Sequence, residues 1–198
     1  MPHKAHDKTT RVNQSTEPDT GTPATVQYGK GEMTDYDVHL FREGSHYRLY
    51  QKLGSQMMTV DGVKGTHFAV WAPNAEKVSV VGDFNGWNPR SHPLAIRWDG
   101  SGVWEGFIPG VTKGYIYKYH IESRYNNYRA DKGDPFAYHW EISPKTASCV
   151  WDLEYEWGDG DWMANRHKVN KLQGPISIYE VHLGSWRRKA EEDNRYLS

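Results

Sequence analysis

In Val78-Ser79-Val80-Val81-Gly82-Asp83-Phe84-Asn85-Gly86-Trp87-Asn88 two kinds of sequence meet. The first half is β-branched and alternating, the pattern of a strand with at least one buried face. The second half is turn chemistry, because Gly82, Asp83, Asn85, Gly86 and Asn88 tolerate backbone angles that bulkier residues resist. Phe84 and Trp87 are set among those small polar residues. A strand that delivers a tryptophan to a polar rim suits a flat, hydroxyl-rich ligand such as a sugar. It also suits a ring that packs onto the core, and residue types alone leave both readings open.

Outward from this stretch the chain keeps the same rhythm. Upstream, Asp61-Gly62 is a hairpin turn, and Thr66-His67-Phe68-Ala69-Val70-Trp71 is a strand closed by Ala72-Pro73-Asn74. Downstream, Trp98-Asp99-Gly100-Ser101-Gly102 is a tight turn into Val103 to Ile108, and Pro109-Gly110 ends that strand. From Tyr115 to Glu122 the alternation is cleanest: Tyr115, Tyr117, Tyr119 and Ile121 share one face, which places Lys118, His120 and Glu122 on the other. Asn126-Asn127 is a further turn, Asp134-Pro135 breaks the sheet, and a last strand runs from Ala147 to Trp151. Short strands at this spacing with little helix between them predict an all-β, immunoglobulin-like β-sandwich over residues 60–152.

The flanks differ. Residues 1–34 hold few large apolar residues and read as a disordered tail, in which His3 and His6 meet no requirement for a metal site. Residues 35–59 form a lead-in, with a helix expected over Ser45 to Leu53 and Gly54 as its stop. Residues 153–175 read as a linker with a helical turn around Trp162 to His167. Within 176–198, Ile176 to Leu183 has the character of a strand that needs partners. Asp159 and Asp161 are too few ligands for calcium.

Composition narrows the function classes. A net charge of -1 leaves no basic stripe, which argues against nucleic acid or an anionic membrane as partner, and no apolar run approaches the ~18 residues of a membrane span. The single cysteine, Cys149, excludes an internal disulfide framework, so the cytoplasm is the expected compartment; its apolar setting predicts inert burial. Nine Trp and thirteen Tyr stand against five Phe. That excess of rings with polar tips fits a surface that meets carbohydrate or protein, as well as ordinary β packing.

With these residues in place, Gly82-Asp83-Phe84-Asn85-Gly86-Trp87-Asn88, preceded by Phe68-Ala69-Val70-Trp71-Ala72-Pro73, resembles the glucan-binding module of family 48 found at the N-terminus of starch and glycogen enzymes. Tyr117-Lys118-Tyr119, Asp134-Pro135 and Thr146-Ala147-Ser148 fit its later strands. Ile178-Tyr179-Glu180-Val181-His182-Leu183-Gly184-Ser185-Trp186 resembles the first barrel strand of bacterial 1,4-α-glucan (glycogen) branching enzymes, and more distantly that of debranching and trehalose-releasing enzymes. The resemblance implies a sandwich followed by the truncated start of a (β/α)8 barrel, with α-glucan and the catalytic barrel of a longer enzyme as partners and no cofactor. It also implies a retaining mechanism with a carboxylate nucleophile and a carboxylic acid/base. No position here matches the family's catalytic motifs, and 24 residues follow Gly174 against the ~250 of a complete barrel, so the chain is expected to be inactive by itself. Glu180 and His182 would shape such a site and take no part in the chemistry. Similarity to the glycogen-binding modules of kinase regulatory subunits assigns glucan contacts to Trp87 and Lys118, with Tyr125 or Tyr128 near the place of a second stacking ring. A stand-alone glycogen-binding module is the alternative reading.

Overall fold

Phe68 and Val70, Val78 and Val80, Trp104 and Ile108, Tyr117 and Tyr119 are buried in one apolar cluster, and each pair comes from a different strand at i, i+2 or i, i+4. Two sheets that each turn one face inward are the direct consequence. The computed structural model describes residues 25–169 and 174–196. It divides into two units, Met1–Glu154 and Tyr155–Ser198. In the first, one sheet runs β1-β2-β5-β4, with β1 Gly54–Val60, β2 Val63–Trp71, β4 Ala95–Ile96 and β5 Val103–Pro109. The other runs β3-β6-β9-β8 with β7 also on β6: β3 Ala75–Gly82, β6 Ile116–Ser123, β7 Arg129–Lys132, β8 His139–Trp140 and β9 Ser148–Cys149. Every pairing is antiparallel. Residues 92–94 hydrogen-bond along β3 before the chain crosses into β4, which closes the seam between the sheets.

Turn chemistry fixes the connections. Asp61 and Gly62 both have positive φ, the signature of the two-residue turn joining β1 to β2, and Asn126 and Asn127 serve β6 and β7 in the same way. Burial along β6 alternates as the tyrosine pattern requires: Tyr117 and Tyr119 are buried while Lys118 and His120 are partly exposed on the outer face. The inward phenols need partners, and Asp134 supplies one. Its carboxylate accepts from the hydroxyls of Tyr117 (2.5 Å) and Tyr119 (3.3 Å) and from the Phe136 N–H (2.8 Å), while its own N–H donates to Ser148 Oγ (2.8 Å). Proline at 135 ends strand pairing at the point where this buried acid is needed.

The lead-in differs from the expected helix. Thr34 and Asp37 form a capping box and Gly44 adopts the left-handed C′ conformation, so helix α1 spans Asp35–Glu43. Only a 3-10 turn, Leu49–Gln51, falls in the expected place, and Gly54 (φ 88) opens β1 instead of stopping a helix. The sandwich therefore starts at Gly54 and not at residue 60. Val38 of α1 joins Met33, Leu53, Ala69 and Val103 in a second cluster on the outer face of the first sheet. Beside it, Arg97 pairs with Asp99 (2.7 Å) and Glu105 (2.8 Å) and donates to the Met33 carbonyl (3.1 Å). Residues 25–34, read from sequence as tail, are packed too: Val26 is buried against the core and Gln27 exchanges backbone hydrogen bonds with Phe107. The remainder of that tail, with His3 and His6, lies outside the described residues.

In the second unit α2 spans Gly160–Val169, longer than the expected turn. The expected strand at Ile176 to Leu183 forms no ladder among the described residues. Residues 175–182 carry no regular structure, Ile176 and Ile178 are exposed, and His182 caps a short helix, α3 Leu183–Trp186. A parallel barrel strand is stable only between neighbours, and residue pattern alone does not provide them. A small hairpin follows, β10 Arg188–Lys189 with β11 Arg195–Tyr196.

Asp134→Ala should lower the unfolding free energy by about 2 kcal/mol, because it strands the buried Tyr117 hydroxyl and leaves Tyr119 only its long contacts to the Gly54 and Ala69 carbonyls (3.5 and 3.4 Å). Burial raises the Asp134 pKa from 3.8, against the hydrogen bonds from Tyr117, Phe136 and Tyr119 that lower it. The folded state thus holds a proton that the unfolded state has released, and this group's contribution falls as pH rises from 3.8 through the raised value. Denaturant titrations across that window should show wild type losing ground to Asp134→Asn. A parallel course would contradict the assignment.

Candidate functional site

At the end of β3 the chain folds into a short loop whose contents are either tied down or put on display. Gly82 lies against β6 so closely that a Cβ would meet the Ile116 carbonyl at 2.3 Å, so only glycine lets the strand run on into the turn. Asn85 then pins the loop: its Oδ1 accepts from Gly82 N–H (3.0 Å), and its Nδ2 donates to the Val80 carbonyl (2.9 Å) and lies 2.8 Å from Nδ1 of buried His92. Phe84 turns inward, with its ring edge-on to His92 and Tyr115 at 5.5 and 5.8 Å. Trp87 is what remains. Its N–H donates to the Gly82 carbonyl (2.9 Å), which holds the residue at the strand end, and the residue as a whole is 39% exposed. Its backbone sits at φ 59, a conformation that costs a bulky L-residue on the order of 1 kcal/mol.

Lys118 stands beside this loop. It lies opposite Val81 in the β3–β6 register, one residue from the Gly82–Tyr117 pair where the Trp87 loop departs. Its Nζ donates to Thr146 Oγ1 at 2.8 Å, so the ammonium is held over the sheet by the hairpin between β8 and β9. The surface under it is closed by small buried side chains, Val81 opposite and, by strand alternation, Ala147 and Cys149. An aromatic rim with a fixed cation and a hydroxyl at the same end of the sheet can take a ring that stacks on one side and offers hydroxyl oxygens on the other. Thr146 escaped the sequence reading as a contact. Only the β9–β6 pairing brings it across 28 residues of chain to Lys118.

Tyr125 and Tyr128 are not brought into this group. Five residues of strand, ~17 Å, separate Lys118 from Ser123, where their hairpin begins. Both rings are exposed there, and Tyr128 lies under Lys132 Nζ at 5.7 Å. By alternation Tyr128 and Lys132 face away from Arg129 and Asp131, whose partners Glu122 and His120 are on the Lys118 side. His120 lies 2.7 Å from Asp131 and Glu122 lies 3.5 Å from Arg129. Cys149 is buried, and burial foremost, with the Glu141 and Asp83 carboxylates, pushes its thiol pKa up. In the second unit His182 Nδ1 lies 2.9 Å from Ser185 Oγ and Glu180 is exposed. No group of three metal-ligating side chains occurs among the described residues.

Residues 52–137 match the family described as carbohydrate-binding module 48 (isoamylase N-terminal domain), a span that contains Trp87 and Lys118. The chain is 53% identical over 163 residues to the 1,4-alpha-glucan branching enzyme GlgB of Thermosynechococcus vestitus, covering 82% of this chain and 21% of that one. It is 53% identical over 166 residues to GlgB of Aquifex aeolicus, covering 84% of this chain and 26% of that one. The chain thus spans about a fifth to a quarter of the length of these relatives. Among solved structures, a Klebsiella pneumoniae pullulanase complexed with maltotriose aligns over 52% of this chain and 10% of its own, at 28% identity and a TM-score of 0.42.

The positive φ at Trp87 gives a test of why the loop is built this way. Trp87→Gly should be more stable than Trp87→Ala by about 1 kcal/mol, the reverse of the order at an ordinary position. Thermal or urea unfolding of the two variants reads this directly. Equal stability, or Ala above Gly, would remove the case for a strained presentation of the ring.

Proposed function

We propose that the sandwich holds α-1,4-glucan on the outer face of its five-stranded sheet, stacked on Trp87 and hydrogen-bonded by Lys118, as the N-terminal part of a cytoplasmic glycogen branching enzyme. The observation that carries this reading is the pairing of a ring displayed at backbone cost with an ammonium pinned by Thr146, both at one end of β3 and β6. A core-capping tryptophan needs neither. The identity to branching enzymes, whose substrate is named as 1,4-alpha-glucan, supplies the ligand class. On this reading the sandwich positions the chain to be cut, while the carboxylates that cut and rejoin it belong to a barrel for which residues 176–183 form the first strand. Exposed Ile176 and Ile178 fit a segment that awaits such neighbours. Tyr125 and Tyr128 keep at most an outlying role, beyond one sugar ring from Lys118.

Affinity electrophoresis in glycogen-containing gels tests the proposal. The chain should be retarded, and Trp87→Ala should weaken binding about tenfold, the loss of roughly 1.4 kcal/mol of aromatic contact. Lys118→Ala should weaken it less, because the lysine is one solvated hydrogen-bond donor. Unretarded wild type, or a Trp87→Ala variant that migrates as wild type does, would overturn the assignment.

A further inference from the structure

On the far side of the Trp87 loop, β3 and the returning residues 89–94 help to line an open cavity of about 480 Å³. Its inner wall is core: Val78, Leu94 and Trp104. Its rim is charged, with Lys77, Arg90 and Arg129 against Glu122. Glu122 sits 3.8 Å from Lys77 Nζ and 3.5 Å from Arg129 Nη2, both longer than a charge-assisted hydrogen bond. The Arg90 guanidinium makes no ion pair among the described residues, while its backbone N–H is held by Asn88 Oδ1 (3.0 Å). Asp131, the next acid on this face, is engaged by His120 at 2.7 Å. In a chain whose net charge is -1, three cations around one carboxylate at a cavity mouth are a local arrangement and not a reflection of composition.

We propose that this cavity binds a phosphate monoester carried on a sugar-sized body. Three cations less one carboxylate leave two positive charges, which match the roughly two negative charges of a phosphoryl group near neutral pH. The apolar wall takes the carbon skeleton behind it. Lys77 and Arg129 are about two-thirds exposed, at 66% and 68%, so the interaction is screened and its dissociation constant falls in the about millimolar range. The cavity lies on the same sheet face as Lys118, but its charges do not depend on the glucan reading. The ester has two sources, a free sugar phosphate or a phosphoryl group on a glucan lying across Trp87, which is three residues from Arg90.

Titration of the full chain with glucose 6-phosphate, followed by amide ¹H–¹⁵N spectra, tests the proposal. Saturable shifts are expected at Lys77, Ser79, Arg90 and Arg129, with inorganic phosphate weaker by about threefold for want of the apolar contact. Glucose should leave these amides unmoved. Arg90→Gln combined with Arg129→Gln changes two exposed side chains and should weaken glucose 6-phosphate binding by at least about fivefold. Absence of saturable shifts, unchanged affinity in the double variant, equal shifts from glucose, or inorganic phosphate binding as tightly as the ester would each overturn the site. A 6-phosphorylated maltodextrin that binds more tightly than glucose 6-phosphate to wild type, but not to Trp87→Ala, supports the site with a glucan-borne ester as its source. Equal affinity supports it with the free sugar phosphate.

Discussion

Asp134 accepts hydrogen bonds from two tyrosines on one strand, and that contact sets the phase of β6. A strand slipped by one residue exchanges its faces completely. Here a slip would bring Lys118 and His120 into an apolar core and strand a buried carboxylate, at a cost of several kcal/mol. With Tyr117 and Tyr119 held inward, Lys118 must face out, and the pairing of β6 with β3 then places it at the base of the Trp87 loop. The same carboxylate sits in a loop whose backbone is tied to Ser148 of β9, so the hairpin that carries Thr146 is anchored to the same point. Asp134 and Lys118 thus both hold the same stretch of chain, one at Ser148 and the other at Thr146.

The range over which each contact acts explains which parts were legible in the sequence. The tyrosine alternation in β6 and the turns at Asp61-Gly62 and Asn126-Asn127 act over two to eight residues, so local pattern finds them. The Trp87 loop is legible for the same reason: Asn85 and Gly86 each answer a local backbone demand, although the close approach of β6 that requires Gly82 is not local. Thr146 reaches Lys118 only through strand pairing across the sheet, and the direction of β6 carries Tyr125 and Tyr128 to its other end, away from Lys118. Both depend on topology, to which residue type is blind.

The lead-in shows a second kind of failure, competition between valid signals. Gly44 and Gly54 both have positive φ, but the Thr34–Asp37 capping box selects the earlier one as a helix end and leaves the later one to open a strand. Residues 25–34 look like a polar tail, yet the buried side chains of Val26 and Met33 and the backbone pairing of Gln27 with Phe107 pack them along the sandwich. At Ile176 to Leu183 the apolar alternation is genuine, but a strand is a property of a pair, and the described residues contain no partner for it.

Trp87 is where local rule and observed structure conflict, since a bulky residue occupies a conformation that suits glycine. Such conflicts gather at sites whose geometry serves binding. If glucan lies on this face, titration with maltoheptaose should shift the Trp87 indole Nε1–H and the amides of Val81, Lys118 and Thr146 together, at one dissociation constant. The amides of Tyr125 to Tyr128 should stay in place. Shifts confined to that hairpin or to the four-stranded sheet, with the Trp87 indole unmoved, would contradict the account.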